Sequence, residues 1–171
     1  RLFKDARGYF CETYNRKTLL ELGINAEFVQ DNESFSQHGV VRGLHYQKGE
    51  HAQAKLVRVL QGEVLDVAVD IRAGSPTFGK FVAVRLSGEN HLQFFIPKGF
   101  AHGFAVLSET ALFAYKCDAL YAPQAEGSIN ANDPSIGIDW IVAAEDRLFS
   151  DKDLKAQSFA DYLSHPDFIF G

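Results

Sequence analysis

The stretch KLVRVLQGEVLDVAVDIR, Lys55 to Arg72, decides the fold class. It is rich in β-branched and other apolar residues and is divided only once, at Gln61-Gly62, by residues typical of a turn. Two strands that follow each other with no room for a helix between them favour an antiparallel β-structure. The stretch therefore predicts two consecutive strands joined by a tight turn.

Alternation assigns the side chains of each strand to two opposite faces. Lys55 shares one face with Val57 and Val59, so its ammonium group is expected among apolar neighbours. In the second strand, Asp66 lies between apolar residues. A carboxylate in such a strand is either exposed at the rim or buried with a partner, and both readings remain open at this point.

The same pattern continues on both sides of this stretch, and turn residues separate one run from the next. The runs are EFVQDN (27–32), GVVRGLHYQ (39–47), KFVAVRLSGEN (80–90), LQFFIP (92–97) and ALFAYKC (111–117). Closely spaced strands without intervening helices favour an all-β fold, an antiparallel sandwich or jelly-roll barrel.

Two short helices are expected to flank this sheet structure. The first begins after Asn15, a preferred N-cap residue, and ends at Gly23. The second covers KDLKAQSFADYL, residues 152–163. No repeat, linker or low-complexity segment interrupts the chain, so one domain over residues 1–171 is expected.

Composition excludes several classes of function. The chain is 46% hydrophobic and 13% aromatic, which is typical of a globular protein, and its formal net charge of -5 without charge runs argues against nucleic-acid binding. No apolar run is long enough for a membrane span and no signal peptide is visible, so a cytoplasmic protein is expected. Cys11 and Cys117 are expected to be reduced thiols.

Two segments resemble the motifs of the cupin barrels: GVVRGLHYQ with His45, and PKGFAH with His102. A metal-binding cupin uses a second histidine where this chain has Gln47, and Lys55 would bring a repelling charge to the same cavity. An amide is a poor ligand for transition metals. No metal is therefore expected, which leaves His45 free for another role. A regular strand would direct Arg42 away from His45, but a bulge at Gly43 would bring the two together.

A longer series of ordered motifs resembles the dTDP-4-dehydrorhamnose 3,5-epimerase family. The motifs include RGLHYQ, KLVRV, GEVLDVAVDIR, SPTFG, IPKGFAHGFAVLS and SDKD, and the likeness runs from DARGYF to SDKD. It implies a jelly-roll homodimer that epimerises a dTDP-linked 4-keto-6-deoxy sugar without metal or redox cofactor. The sequence begins after the family's first strand, which is either absent or upstream, and this puts the dimer geometry in question.

The chemistry of such a reaction fits the residues that the resemblance selects. Hydrogens on the carbons beside a ketone are acidic, so that inversion needs a base, an acid and a group that stabilises the enolate. The resemblance implies His45 as base, Lys55 as the enolate-stabilising cation and Tyr115 as acid, with Tyr121 as the alternative acid. It also implies Asp153 as the carboxylate that holds His45, although alternation alone leaves Asp66 equally possible.

Substrate contacts are also implied by the resemblance. The residues are Arg7, Glu12, Gln30, Asn32, Arg42, His102, Glu126 and Lys152. Arginine can grip a diphosphate with two hydrogen bonds, which suits Arg42. Without the resemblance, the sequence around His102 is typical of a core histidine with a hydrogen-bond partner.

The sequence thus favours a double epimerase that converts dTDP-4-dehydro-6-deoxyglucose to dTDP-4-dehydrorhamnose. An epimerase acting at one carbon, or on another nucleotide sugar, would carry nearly the same motifs. A non-catalytic cupin that binds sugar nucleotides is the alternative from a different class.

Overall fold

The computed structural model describes residues 1–171, and almost all of its regular structure is β-sheet. The strands are β1 (Phe3–Asp5), β2 (Gly8–Phe10), β3 (Gln30–Gln37), β4 (Val41–Gln47), β5 (Lys55–Gln61), β6 (Glu63–Asp70), β7 (Arg72–Ala73), β8 (Phe81–Ser87), β9 (Gln93–Ile96), β10 (Phe100–Val106), β11 (Thr110–Cys117), β12 (Glu126–Ser128) and β13 (Phe168–Ile169). The helices are α1 (Arg16–Glu21), α2 (Asp151–Leu154) and α3 (Phe159–Ser164). No helix is long and apolar enough to cross a membrane.

Two antiparallel sheets form the predicted jelly-roll barrel. One has five strands in the order β12-β4-β10-β6-β8, and the other has four in the order β3-β11-β5-β9. A core that includes Val57, Val64, Phe104 and Phe113 fills the space between the sheets. The sheets therefore form the two walls of a barrel, and side chains that point inward can meet there.

A second core covers the outer face of the five-stranded sheet. Segments that follow β12 bring Trp140 and Tyr162 against Leu65, Val67 and other residues of that sheet. Because β6 is buried on both faces, apolar residues lie on both of them, with Val64 and Ala68 on the inner face and Leu65 and Val67 on the outer face.

Only the N-terminal segment covers part of the four-stranded sheet, where the Thr13 carbonyl accepts from Gln93 and the Lys116 Nζ lies over the Tyr14 ring. Phe35 on the same outer face is exposed.

The two strands predicted from Lys55 to Arg72 are confirmed as β5 and β6, and so is the division of their faces. Val57 and Val59 point into the barrel, whereas Leu65 and Val67 join the outer core. The two strands belong to different sheets, so the turn at Gly62 connects the two walls. Asp66 is fully buried. Of the two alternatives that the sequence left open, a rim-exposed or a buried carboxylate, the buried one is correct.

The bulge predicted at Gly43 is also present. His102 of β10 pairs with His45, and Phe104 pairs with Arg42, so two residues of β4 face the single residue Gly103. Gly43 has a φ of 122°, and a Cβ there would lie 2.6 Å from the Gly103 Cα. Glycine is therefore required at position 43, because only it permits this backbone angle and this close approach.

The first helix is as predicted, with Asn15 as its N-cap accepting hydrogen bonds from the Lys17 and Thr18 amides. The prediction of one helix over 152–163 is wrong, because two short helices replace it. Each begins at its own serine N-cap, Ser150 for α2 and Ser158 for α3. The segment between them instead bridges Gln157 to Ile129, beside the five-stranded sheet.

The structure differs from the strand predictions at three places. The run EFVQDN was expected to be a strand, but β3 begins only at its fourth residue and continues through polar residues to Gln37. Strand β10, with the sequence FAHGFAV, was not predicted as a strand, although it is central to its sheet. The hairpin of β1 and β2 was not predicted either. Cys11 and Cys117 are both free thiols.

Candidate active site

A cavity of about 240 Å³ opens between the two sheets, and it contains six of the residues selected from the sequence. We call it the His45 cavity. Its lining residues are Asn32, Glu33, Ser34, Arg42, His45, Lys55, His102, Phe104, Phe113 and Tyr115. They come from strands β3, β4, β5, β10 and β11, so both walls of the barrel contribute polar groups to one space.

His45 is held by Asp153. Strand β4 directs the imidazole into the cavity, and the first turn of α2 brings in the buried carboxylate, with Nε2 lying 2.5 Å from Oδ1. Burial raises the pKa of Asp153, but hydrogen bonds from His45 and Ser150 outweigh this and leave the pKa below its usual value. The carboxylate is therefore ionised at neutral pH. With Nε2 occupied, Nδ1 is the ring nitrogen left to accept a proton.

Lys55 and Tyr115 stand on the opposite wall. They lie on the paired strands β5 and β11, and the Lys55 Nζ is 5.9 Å from the centre of the Tyr115 ring. Burial lowers the pKa of Lys55, and the charges of Cys117, Asp66 and Glu126 partly oppose this effect. Burial raises the pKa of Tyr115, so its phenol stays protonated at neutral pH. The wall thus offers the Lys55 amino group and, in the Tyr115 phenol, a proton donor.

His102 forms a second histidine–carboxylate pair. It is the register partner of His45 on the neighbouring strand, and its Nε2 lies 3.0 Å from both carboxylate oxygens of Asp66. Both side chains are buried, and the Phe113 ring stacks on the imidazole. Burial lowers the pKa of His102, against the effect of the nearby Asp66 carboxylate. Asp66 thus pairs with His102, while Asp153 pairs with His45.

Arg42 reaches the cavity because of the bulge. Its Nε donates to the Ser36 hydroxyl at 3.1 Å, which fixes the plane of the guanidinium group. No carboxylate forms an ion pair with it. An arginine held by a neutral partner keeps its charge available for an anion.

Four further polar side chains lie close to the His45 cavity. Glu126 forms an ion pair with Lys152 and accepts a hydrogen bond from the Tyr121 hydroxyl at 3.0 Å. Strand β12 pairs with β4, which brings Glu126 opposite Gln47, two residues from His45. Gln30 accepts from the Tyr121 amide and donates to Asn32, which lines the cavity. These groups form a polar border, while the Tyr121 ring itself is exposed and does not line the cavity.

Arg7 and Glu12 are not brought to the cavity of this chain. Arg7 lies at the turn between β1 and β2, where its exposed guanidinium group pairs with Asp5 at 2.6 Å. Glu12 lines a different cavity, of about 390 Å³, beside Arg58 and Gln93 on the outer face of the four-stranded sheet. The structure therefore separates these two residues from the other ten selected from the sequence.

Sequence reasoning missed several groups that shape the site. Ser36 orients Arg42, Ser150 binds Asp153, and Phe113 packs against His102. A serine before a helix was a usable signal for Ser150, since SDKD places a preferred N-cap three residues ahead of an acidic residue. Ser36 and Phe113 carry no comparable local signal. No group of three or more His, Cys, Asp or Glu side chains is arranged to bind a metal ion.

Comparison with protein families gives a match over nearly the whole chain. A family model described as dTDP-4-dehydrorhamnose 3,5-epimerase matches residues 1–161. The dTDP-4-dehydrorhamnose 3,5-epimerase of Shigella flexneri is 54% identical to this chain over 162 residues, which is 94% of this chain and 88% of that relative.

Solved structures give the same result. The crystal structure of dTDP-4-dehydrorhamnose 3,5-epimerase from Elizabethkingia anophelis NUHP1 has a TM-score of 0.90 and 57% identity, covering 94% of this chain and 88% of that one. A dTDP-6-deoxy-D-glucose-3,5-epimerase from Legionella pneumophila Philadelphia 1, in complex with dTDP-4-keto-L-rhamnose, has a TM-score of 0.95 and 52% identity, covering 100% of this chain and 90% of that one.

Proposed function

The chain belongs to the dTDP-4-dehydrorhamnose 3,5-epimerase family and is an isomerase of a nucleotide-linked 4-keto-6-deoxy sugar, and we propose that its reaction takes place in the His45 cavity. The substrate is dTDP-4-dehydro-6-deoxyglucose, and inversion at carbons 3 and 5 gives dTDP-4-dehydrorhamnose. One observation carries the assignment of the site: His45, Lys55 and Tyr115 line the same cavity from opposite walls.

His45 is the base in this proposal. Its Nδ1 takes the proton from the carbon beside the ketone, and the electrons of the C–H bond move to form an enolate with negative charge on the carbonyl oxygen. Asp153 holds the ring and stabilises the imidazolium that forms. The Lys55 ammonium stabilises the enolate oxygen more than the neutral ketone, so its interaction lowers the barrier instead of only tightening binding.

Tyr115 returns a proton to the opposite face of the carbon. The phenol is neutral at neutral pH because burial raises its pKa, and it faces the cavity from the wall across from His45. Proton delivery from this side gives the inverted centre, and exchange with solvent then restores His45 and Tyr115. The same sequence of steps at the second carbon completes the reaction. Tyr121 is not the acid in this proposal, because its hydroxyl donates to Glu126 outside the cavity.

Substrate binding uses the remaining polar groups. Arg42, oriented by Ser36, binds the diphosphate, and His102 with its Asp66 partner contacts the sugar. Asn32 and Gln30 with the Glu126–Lys152 pair form the border over which the nucleotide extends. No cofactor takes part in these steps.

We also propose a homodimer, in which Arg7 and Glu12 serve the cavity of the partner. The family resemblance assigns both residues to the substrate, yet neither lines the cavity of its own chain. Phe3, Tyr9 and Phe10 are exposed aromatic residues on the same β1–β2 hairpin as Arg7. A surface of this kind is stabilised when another protein covers it.

The dimer is proposed to act in the cytoplasm, with residues 1–171 as one domain. Two free thiols, one of them buried, are in keeping with a reducing compartment. The continuous outer core that joins the five-stranded sheet to the C-terminal segments supports a single folding unit.

The test is proton NMR in heavy water with dTDP-4-keto-6-deoxyglucose. We expect the native protein to replace the protons at both carbon 3 and carbon 5 by deuterium. His45→Ala should lower the exchange rate by a factor of about 100 to 10,000, the usual contribution of a positioned acid or base. His165→Ala removes an exposed histidine and should leave the rate unchanged.

Each alternative gives its own result. Exchange at a single carbon would indicate a single-position epimerase. Binding of the nucleotide sugar without exchange would indicate a binding protein, and exchange at the native rate in His45→Ala would contradict the assignment of the base.

A further inference from the structure

The residue behind the His45–Asp153 pair is Ser150. Its hydroxyl donates to Asp153 Oδ2 at 2.7 Å and accepts from the Asp153 amide at 3.2 Å, so it occupies the carboxylate oxygen that does not face His45. Oδ1 is left for Nε2 of His45. The three side chains thus form a chain that runs from the N-terminus of α2 into the His45 cavity.

The same arrangement occurs eight residues later without any connection to the cavity. The Ser158 hydroxyl donates to Asp161 Oδ2 at 2.6 Å and accepts from the Asp161 amide at 3.0 Å. Asp161 is exposed, whereas Asp153 is buried and bonded to His45. The serine cap of α3 therefore shows what the arrangement does alone, which is to start a helix.

We propose that Ser150 is a positioning residue of the epimerase, which fixes the Asp153 carboxylate so that Oδ1 stays directed at Nε2 of His45. The proposal rests on the function assigned above to His45. A carboxylate on a two-bond side chain rotates readily about its last torsion, and the Ser150 hydroxyl opposes this rotation. Ser150 touches neither substrate nor base, and it acts through Asp153 alone.

The physical consequence concerns the tautomer of His45. When Asp153 accepts from Nε2–H, the lone pair needed for proton abstraction is on Nδ1. A carboxylate that turns away leaves the imidazole free to rotate and to exchange tautomers, and the imidazolium formed in the reaction loses its partner. Turnover should then fall, while substrate binding, which uses other residues, should change little.

Two substitutions at position 150 separate positioning from helix capping. Ser150→Gly removes the hydroxyl, but glycine is a tolerated N-cap, so α2 should stay formed. We expect kcat to fall about tenfold with KM changed by less than about twofold, the rate equivalent of one hydrogen bond to a charged group.

Ser150→Thr keeps a hydroxyl at the same place, and Ser150 is exposed enough to accept the extra methyl group, so kcat should be close to native. Ser158→Gly is the matched control, and its kcat should equal that of native protein.

Native turnover in Ser150→Gly would overturn the proposal, and so would equal losses in Ser150→Gly and Ser158→Gly, which would point to general destabilisation. Equal losses in Ser150→Gly and Ser150→Thr would also overturn it, because the hydroxyl would then be irrelevant. If native protein and Ser158→Gly fail to epimerise the substrate, the assigned function is at fault instead, so the two failures are distinguishable.

Discussion

Two histidines lie side by side in this barrel, and their surroundings give them different tasks. His45 and His102 pair across β4 and β10, and each is bonded to a carboxylate. The His45 side chain is 30% exposed, whereas that of His102 is 8% exposed. A proton can reach His45 from a substrate in the cavity, while His102 is enclosed and suits a fixed hydrogen-bonding role. Access therefore favours His45 over His102 as the proposed base.

Position relative to the cavity also distinguishes the two tyrosines considered as the acid. Tyr115 lines the cavity and is partly buried, and its ring lies near the Lys55 ammonium group. Tyr121 is 55% exposed, and its hydroxyl is already engaged with Glu126. An acid for the reaction must face the substrate carbon on the side opposite the base, and only Tyr115 is on the cavity wall.

Replacing each tyrosine by phenylalanine tests this choice. In Tyr115→Phe we expect formation of the epimer to fall by about 100-fold or more, the range for a lost general acid, because no donor remains on that face. Deuterium should still enter the sugar with retained configuration, since His45 can remove a proton and return one from solvent. Tyr121→Phe should stay within about threefold of native activity. NMR of the product in heavy water measures both quantities, and a greater loss in Tyr121→Phe would reverse the assignment.

Among the larger elements, the turn SPTFG after β7 is built around one buried carboxylate. Asp70 at the end of β6 accepts from the Arg72 guanidinium group, the Arg72 amide, and the hydroxyls of Ser75 and Thr77. Burial raises the pKa of Asp70, but these hydrogen bonds outweigh it and hold the pKa well below its usual range. Arg72 in turn lies over the rings of Phe100 and Phe170, which ties the C-terminal strand to the barrel.

Asp70→Asn should therefore destabilise the fold without affecting catalysis. We expect a loss of about 3 kcal/mol in the free energy of unfolding at pH 7, because Arg72 is left without its partner. The folded-state pKa is lowered, so this contribution is complete above the unfolded-state pKa of about 3.9 and is lost as pH falls through the folded-state value. The difference between native and variant should shrink below about pH 4 in urea unfolding experiments. A constant difference from pH 7 to pH 2 would show that the charge of Asp70 is not responsible.

The sequence predicts elements well where local signals agree and poorly where tertiary contacts decide. Strands β5 and β6 were predictable because apolar residues and a glycine turn coincide. Strand β10 was missed because FAHGFAV contains three small residues and a histidine, and its burial between β4 and β6 makes it a strand. The helix over 152–163 was predicted as one piece because its pattern is continuous, whereas the Gln157–Ile129 bridge divides it.

The residues of the site were likewise predictable where a local sequence signal existed and not where tertiary contacts decide. Alternation gave Lys55 its apolar surroundings, and the turn propensity of Gly43 suggested the bulge that turns Arg42 inward. The partner of His45 was beyond local reasoning, because Asp153 lies 108 residues away and Asp66 was an equal candidate. Only the resemblance of SDKD to a known motif selected Asp153.

For the whole molecule, the two sheets differ in what covers them. The outer face of the five-stranded sheet is buried under the C-terminal segments. The four-stranded sheet leaves Phe35 exposed on its outer face and has two cavities there, and the β1–β2 hairpin adds Phe3 and Phe10. This asymmetry is the reason for proposing that a second copy covers the four-stranded sheet, with Arg7 of each protomer reaching the cavity of its partner.

A mixture of two inactive variants tests whether Arg7 acts across such a dimer. Arg7→Ala and His45→Ala should each be nearly inactive, the first through lost substrate binding and the second through the lost base. After joint unfolding and refolding in equal amounts, about half of the dimers are mixed. If Arg7 serves the partner's cavity, each mixed dimer has one site with both residues intact, so about a quarter of native activity should return. If Arg7 serves its own chain, every site carries one of the two lesions and no activity returns.

Sedimentation measurements on the same mixture establish that dimers have formed, and monomers alone would contradict the dimer itself. As a control, Lys55→Ala mixed with His45→Ala should recover nothing, because both residues line the cavity of the same chain.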